Sequence, residues 1–170
     1  RRRQYIYYSI TNLTLFFMDQ KVVKSKLASV EEKKRIDELN ERAWNIQITD
    51  PKLALELSSK AKKLAEMVSY QKGLAYAIRN MGVSHRYLSN LETALSLSLQ
   101  ALEMFLNVKD KHGEAQAYVS IGAIYYYMGN FERSLDYFLQ GIRYNEETRN
   151  KEALAYAYNG AGYIYSIIGE

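Results

Sequence analysis

The chain has 170 residues, of which 48% are hydrophobic and none is cysteine. It can therefore build a hydrophobic core, but it has no disulfide, thiolate metal site or cysteine nucleophile. Its formal net charge of +4 comes from residues 1–35, which contain nine Lys/Arg and three Asp/Glu, because residues 36–170 contain fourteen Lys/Arg and sixteen Asp/Glu. This larger part lacks the basic stripes of a nucleic-acid-binding array, so we predict no nucleic-acid partner.

Residues 1–29 form a basic and apolar leader that begins with three arginines. Apolar residues recur at helical spacing from Ile6 to Phe17, which predicts a helix that packs on the first repeat, although Tyr5 to Ile10 also alternates as a strand does. A signal peptide is the other interpretation, but Thr11 and Thr14 interrupt its apolar run. No run of about 18 apolar residues occurs, so we predict no membrane span. The absence of cysteine fits a reducing compartment, and we expect a cytoplasmic location.

Residues 30–170 contain alternating helical and turn patterns that predict pairs of helices. The first pair covers about 31–69, with Ile36 and Ala43 facing inward and a break at Asp50-Pro51, where aspartate caps the next helix and proline suits its first turn. Two further pairs cover about 74–108 and 114–148. A last helix is expected at 152–168 without a following partner, which predicts that the chain belongs to a longer protein.

The chain repeats itself every 40 residues, as Gly82, Gly122 and Gly162 show most simply. Self-similarity at such a period predicts stacked helical units, each too small to bury its own apolar face. Glycine inside a helix costs about 1 kcal/mol relative to alanine. We therefore expect these glycines to allow a close approach of the second helix of each pair, at Ala94 and Ser134.

One copy of the repeat carries the pattern of a known family. Its residues are Ala115, Tyr118, Ile121, Gly122, Tyr125, Gly129, Phe131, Ser134, Phe138 and Gly141. This pattern resembles the tetratricopeptide repeat, and the resemblance covers about residues 36–170, with a period of 40 rather than about 34 residues. Long repeats of this kind are similar to those of bacterial signalling proteins, Rap-type peptide receptors and kinesin light chains. The resemblance implies an all-α fold, a right-handed superhelical solenoid of antiparallel helix pairs.

The resemblance also implies a concave groove lined by the first helix of each pair. Helical spacing then selects the residues that face it, which include Tyr, Trp and Arg, the types in which binding energy concentrates. The predicted groove residues are Asn40, Trp44, Tyr76, Arg79, Asn80, Val83, Arg86, Tyr87, Gln116, Val119, Ser120, Tyr126, Tyr127, Tyr156, Asn159 and Tyr163. Arg79 and Arg86 either meet an acidic group of a ligand or belong to a solvated face. The Lys and Asn pair of family members that bind C-terminal carboxylates is absent.

The sequence contains no phosphate-binding glycine loop, histidine pair at metal spacing or nucleophile elbow. We therefore predict a non-catalytic protein–protein interaction module without metal or cofactor. The resemblance favours the regulatory or sensory region of a larger bacterial signalling protein, which binds a peptide segment or partner helix in its groove. Two alternatives remain open: a receptor for a short signalling peptide, and a structural spacer that self-associates through exposed ends of the array.

Overall fold

The computed structural model describes residues 29–148 and 151–169, and within these ranges it contains helices and no strand. The helices are α1 (29–46), α2 (Pro51–Met67), α3 (Gln71–Tyr87), α4 (Leu91–Val108), α5 (Lys111–Tyr127), α6 (Phe131–Thr148) and α7 (Lys151–Ile168). The predicted all-α class is confirmed. The predicted leader lies almost wholly outside the described residues. None of the described helices is long and apolar enough to cross a bilayer.

The helices stack as a repeating array. Each of α3 to α7 packs on the helix before it in the chain, and α5 also contacts α3 and α7, so the first helices of successive pairs lie side by side. The three hydrophobic clusters each combine one helix pair with the first helix of the next pair. No pair completes its own core, which is the packing expected of a helical repeat protein.

Helix ends follow the local sequence signals. Asp50 accepts a hydrogen bond of 3.0 Å from the backbone N–H of Leu53, and Asn130 accepts one of 3.1 Å from that of Arg133, so both cap the helices that follow them. Gly129, at φ +75°, ends α5 in the left-handed conformation that glycine adopts without strain. The predicted caps at Asp50 and Asn130 are therefore present.

Two helices begin three residues earlier than the sequence pattern indicates. The second and third pairs are predicted to begin at about residues 74 and 114, but Gly73 and Gly113 already lie in the first turns of α3 and α5. Asp110 caps α5 by accepting a hydrogen bond of 3.2 Å from the N–H of Gly113. A Cβ at Gly113 would overlap the ring of Phe105, so this glycine is a site of close helix packing.

Two of the three equally spaced glycines, Gly82 and Gly122, lie where the two helices of a pair cross. A Cβ at Gly82 would lie 3.2 Å from the carbonyl oxygen of Ala94, and one at Gly122 would lie 3.2 Å from the backbone nitrogen of Phe138. The hydroxyl of Ser134 donates a hydrogen bond of 2.7 Å to the carbonyl of Gly122. A Cβ at Gly162, in contrast, would have no atom within 4 Å.

Large residues of one pair are matched by glycines in the next helix. The ring of Phe138 occupies the space that a Cβ at Gly160 would need, as Phe105 does at Gly113. Forty residues away in the chain, the equivalent positions hold other combinations: Ser98 with Ser120, and Asn145 with Ala153. The pairing of a phenylalanine with a glycine is therefore not repeated at every step of the array.

Candidate binding groove

Three cavities lie in a row on the face formed by α1, α3, α5 and α7. We call them the first cavity (about 470 Å³), the central cavity (about 210 Å³) and the last cavity (about 350 Å³). Trp44 and Gln116 belong to the walls of both the first and the central cavity. Ala123 and Tyr156 belong to both the central and the last. Because neighbouring cavities share wall residues, they adjoin one another, and we call the row that they form the groove.

The structure brings fifteen of the sixteen predicted groove residues to these walls. The first cavity is lined by Asn40, Trp44, Tyr76, Arg79 and Gln116 of that set. The central cavity is lined by Trp44, Val83, Arg86, Tyr87, Gln116, Val119, Ser120 and Tyr156. The last cavity is lined by Tyr126, Tyr127, Tyr156, Asn159 and Tyr163.

The sixteenth residue, Asn80, lies beneath the groove and lines none of the three cavities. It is 1% exposed, and its amide donates a hydrogen bond of 2.8 Å to the carbonyl of Asn40. The amide of Asn40 in turn donates one of 2.9 Å to the carbonyl of Gly73. Asn80 therefore holds α3 against α1 instead of facing the groove.

Sequence reasoning missed several wall residues of the first cavity. They are Asp37, Glu41, Tyr70, Lys72 and His112. Asp37 and Glu41 share the groove face of α1 with Asn40 and Trp44, so helical spacing contained the signal. Tyr70, Lys72 and His112 lie at the starts of α3 and α5, before residues 74 and 114, where the sequence pattern predicts that these helices begin.

Arg79 is a buried cation held by neutral groups. It is 3% exposed, and its Nη2 and Nε donate hydrogen bonds of 2.7 and 3.2 Å to Oδ1 of Asn80. Its Nη1 donates to the side-chain oxygen of Gln116, and its guanidinium lies 4.1 Å from the ring centre of Trp44. Burial lowers the pKa of Arg79 to about 10, so the side chain remains positively charged at neutral pH.

Arg86 is also buried, but its polar atoms are less well satisfied. It is 9% exposed and stacks on Tyr87, with 4.1 Å between the guanidinium carbon and the ring centre, and it lies 5.4 Å from that of Tyr127. Its Nε is buried without a hydrogen-bond partner, as is Oε1 of Gln47, which lines the same central cavity. Among the described residues, neither Arg79 nor Arg86 forms an ion pair.

A carboxylate beside the first cavity is already neutralised. Lys72 Nζ lies 2.9 Å from Oδ2 of Asp110. Burial alone would raise the pKa of Asp110, but hydrogen bonds from Lys72 and the N–H of Gly113, with the charge of Lys72, hold this pKa below its usual value. Burial, reinforced by the positive charge of Arg79, lowers the pKa of His112. Asp110 is therefore paired with Lys72, and it acts on Arg79 only through its charge, which raises the pKa of the guanidinium against the effect of burial.

The last cavity is aromatic and open to solvent. Tyr127 and Tyr163 are 58% and 57% exposed. The ring of Tyr126 contacts both of them edge-on, with ring centres 5.4 and 5.7 Å apart, respectively. Tyrosine offers a large, fairly rigid contact area and a hydroxyl at low entropic cost, so this part of the groove suits apolar or aromatic side chains.

Residues 73–147 match the family model described as "Tetratricopeptide repeat". This part of the chain, which spans most of α3 to α6, therefore consists of tetratricopeptide repeats, as the sequence pattern predicted. No curated protein matches the chain by sequence.

Solved structures share the fold at low sequence identity. The chain is similar to a Rap protein complexed with Competence and Sporulation Factor, with a TM-score of 0.74 and 20% identity over 82% of this chain and 39% of that one. It is similar to aspartyl phosphate phosphatase F from Bacillus subtilis, with a TM-score of 0.70 and 18% identity over 79% and 37%. It is also similar to a signal-transduction ATPase with numerous domains from Pyrococcus horikoshii, which has a tetratricopeptide repeat sensor. The TM-score is 0.62, and the identity is 19% over 81% of this chain and 22% of that one. The chain thus spans less than half the length of each of these proteins.

Proposed function

We propose that the groove binds a peptide segment of another protein and that the chain is the interaction module of a signalling protein. The observation that carries the proposal is the row of three adjoining cavities along α1, α3, α5 and α7, lined by tyrosines, a tryptophan and two buried arginines. Tetratricopeptide repeats and structural likeness to a Rap protein and to a repeat sensor support a regulatory or sensory role in a larger protein. The likeness to a phosphatase from Bacillus subtilis supports a bacterial one.

The arrangement of the cavities in a row supports a peptide rather than a single small molecule, although the first and last cavities, of about 470 and 350 Å³, each have the size of a small-molecule pocket. The central cavity, of about 210 Å³, is smaller than the pockets of roughly 300–1,000 Å³ that enclose drug-sized ligands. It has room for one side chain with its adjoining backbone. A row of such spaces suits a segment that places successive side chains in them, either extended or as one face of a helix.

A receptor for a short signalling peptide is the second candidate. It is favoured by the likeness to a Rap protein that was crystallised with Competence and Sporulation Factor. Native mass spectrometry of the purified chain separates the two candidates. A bound mass of a few residues favours the short peptide, whereas co-purification of a whole protein favours the interaction module.

Exposed tyrosines of the last cavity allow a test that leaves the core intact. We would replace Tyr127 and Tyr163 together by serine and use Tyr158→Ser as the control, because Tyr158 is 52% exposed on α7 but lines none of the three cavities. The assay is enrichment of peptides from a random heptapeptide pool on immobilised protein, read by mass spectrometry.

The wild-type chain and Tyr158→Ser are expected to retain the same peptides, and the double variant at least about tenfold less, since aromatic anchors often contribute 2 kcal/mol or more. Circular dichroism confirms that each variant is folded. If the wild type enriches no peptide, or the double variant retains as much as the control, groove binding is wrong.

A further inference from the structure

Among the residues that the structure describes, the wall of the central cavity holds a cation and no anion. Among the described residues that line this cavity, Arg86 is the one acidic or basic residue. The other described wall residues are polar but uncharged, aromatic or aliphatic, so none of them balances this charge. Removing one partner from a buried ion pair is strongly destabilising, which is why buried charges are normally paired. An unpaired guanidinium in such a place is therefore suited to a charge supplied by a ligand.

Arg79 shows what a satisfied arginine looks like in the same groove. Its guanidinium donates to the side-chain oxygens of Asn80 and Gln116 and stacks on Trp44. Arg86 lies about two helical turns further along α3. It stacks on Tyr87, but its buried Nε has no hydrogen-bond acceptor. Arg79 is thus used to organise the groove, whereas Arg86 retains hydrogen-bonding capacity.

A second unsatisfied atom lies in the wall of the same cavity. Oε1 of Gln47, a residue only 6% exposed, accepts no hydrogen bond. The cavity wall therefore contains a cationic donor and a neutral acceptor that lack partners, beside apolar residues that include Val83, Val119 and Ala123. A ligand that satisfies both needs an anionic oxygen and an N–H group close together, which a peptide supplies when an acidic group adjoins its backbone.

Resting on the proposed function, we propose that the central cavity recognises a carboxylate of the bound peptide. The guanidinium of Arg86 donates charge-assisted hydrogen bonds to the carboxylate, and Oε1 of Gln47 accepts a backbone N–H of the same peptide. A carboxylate fits better than a phosphate, because phosphopeptide sites gather several arginines and this cavity has one. The carboxylate belongs either to an Asp or Glu side chain or to the C-terminus of the peptide.

Three pools of random heptapeptides test this assignment and separate the two sources. The first has glutamate at its centre and an amidated C-terminus, the second has glutamine at its centre and an amidated C-terminus, and the third has central glutamine and a free C-terminal carboxylate. Each pool is applied to the wild-type chain, to Arg86→Gln and to Arg143→Gln. Arg143 is exposed on α6 and lines none of the three cavities, so its replacement removes the same formal charge outside the groove.

The wild type and Arg143→Gln should enrich the first or the third pool over the second by about tenfold or more, as expected for hydrogen bonds to a charged group. Enrichment of the first pool identifies a side-chain carboxylate, and enrichment of the third identifies the C-terminus. Arg86→Gln should lose this preference while its thermal midpoint stays the same or rises, because an unpaired buried charge has been removed.

Two other outcomes overturn the inference, and they are distinguishable. Equal enrichment of all three pools by the wild type shows that the groove binds peptides without recognising a carboxylate. Enrichment of none of them defeats the proposed function as well. The preference of the wild type is measured without any variant, so the inference stays falsifiable even if Arg86→Gln fails to fold. Gln47→Leu provides the second variant and is expected to weaken binding of the preferred pool.

Discussion

The repeat glycines allow a quantitative test of the packing between paired helices. Gly122 and Gly162 occupy the same position of the repeat, 40 residues apart, in α5 and α7. A Cβ at Gly122 would lie 3.0 Å from Cδ1 and 3.2 Å from the backbone nitrogen of Phe138, whereas one at Gly162 would meet nothing within 4 Å. Replacing each glycine by alanine therefore changes the same helix propensity in two different environments.

The expected magnitudes follow from these distances. Gly162→Ala should raise the free energy of unfolding by roughly 1 kcal/mol, which is the difference in helix propensity. Gly122→Ala gains the same amount but must push α6 away, because the backbone nitrogen of Phe138 cannot rotate out of the way as its ring can. Overpacking of this kind costs about 1–3 kcal/mol. We therefore expect Gly122→Ala to be about 1–3 kcal/mol less stable than Gly162→Ala.

Urea unfolding followed by circular dichroism at 222 nm measures both values. The comparison is valid if the two variants share the denaturant dependence of the wild type, because a changed slope would indicate unfolding in parts. Equal stabilisation by the two substitutions would refute the close packing at Gly122. A loss of stability in Gly162→Ala would refute the assignment of an open helix face there.

Two further predictions concern buried polar groups. Ser98 Oγ is buried against Gly82 without a hydrogen-bond partner, so Ser98→Ala should raise the free energy of unfolding by about 1 kcal/mol. Ser134→Ala removes a hydrogen bond to a backbone carbonyl of α5 and should lower the free energy of unfolding. Urea unfolding measures both, and a loss of stability in Ser98→Ala would contradict the reasoning. The folded-state pKa of Asp110 lies below its usual value, so its contribution to stability is present above about pH 4 and is lost as the pH falls through that pKa. Lys72→Gln should therefore lower the thermal midpoint at pH 7 but not at about pH 2, and an unchanged difference at both pH values would contradict this assignment.

The helical architecture was predictable because its signals are local. The caps at Asp50 and Asn130 and the inward alanines each need only a few neighbouring residues, and the 40-residue spacing of the glycines is visible in the sequence itself. The starts of α3 and α5 were placed three residues too late, because glycine is typical of links and of close helix contacts alike. In the folded chain Gly113 packs against Phe105, a residue eight positions earlier, and that contact decides between the two.

The groove was predictable as a helix face but not in its depth. Helical spacing brings Trp44, Arg86 and Tyr156 to one side of their helices, and the structure places them in one cavity. Helical spacing does not reveal that Asn80 joins α1 and α3, because this contact depends on how close the two helices lie. Nor does it distinguish Arg79, which is satisfied by its neighbours, from Arg86, which is not.

The matching of large residues with glycines bears on how such a chain can be lengthened, recombined or engineered. Phe138 fits Gly160, and Phe105 fits Gly113, and both pairs join the second helix of one hairpin to the first helix of the next. Copying the α5–α6 hairpin in tandem would set a phenylalanine against the Ser120 position, whereas copying α6–α7 would keep each phenylalanine with its own glycine. The unit that can be transplanted is therefore offset by one helix from the hairpin that the sequence repeats, and the cuts for transplantation belong inside hairpins, not between them.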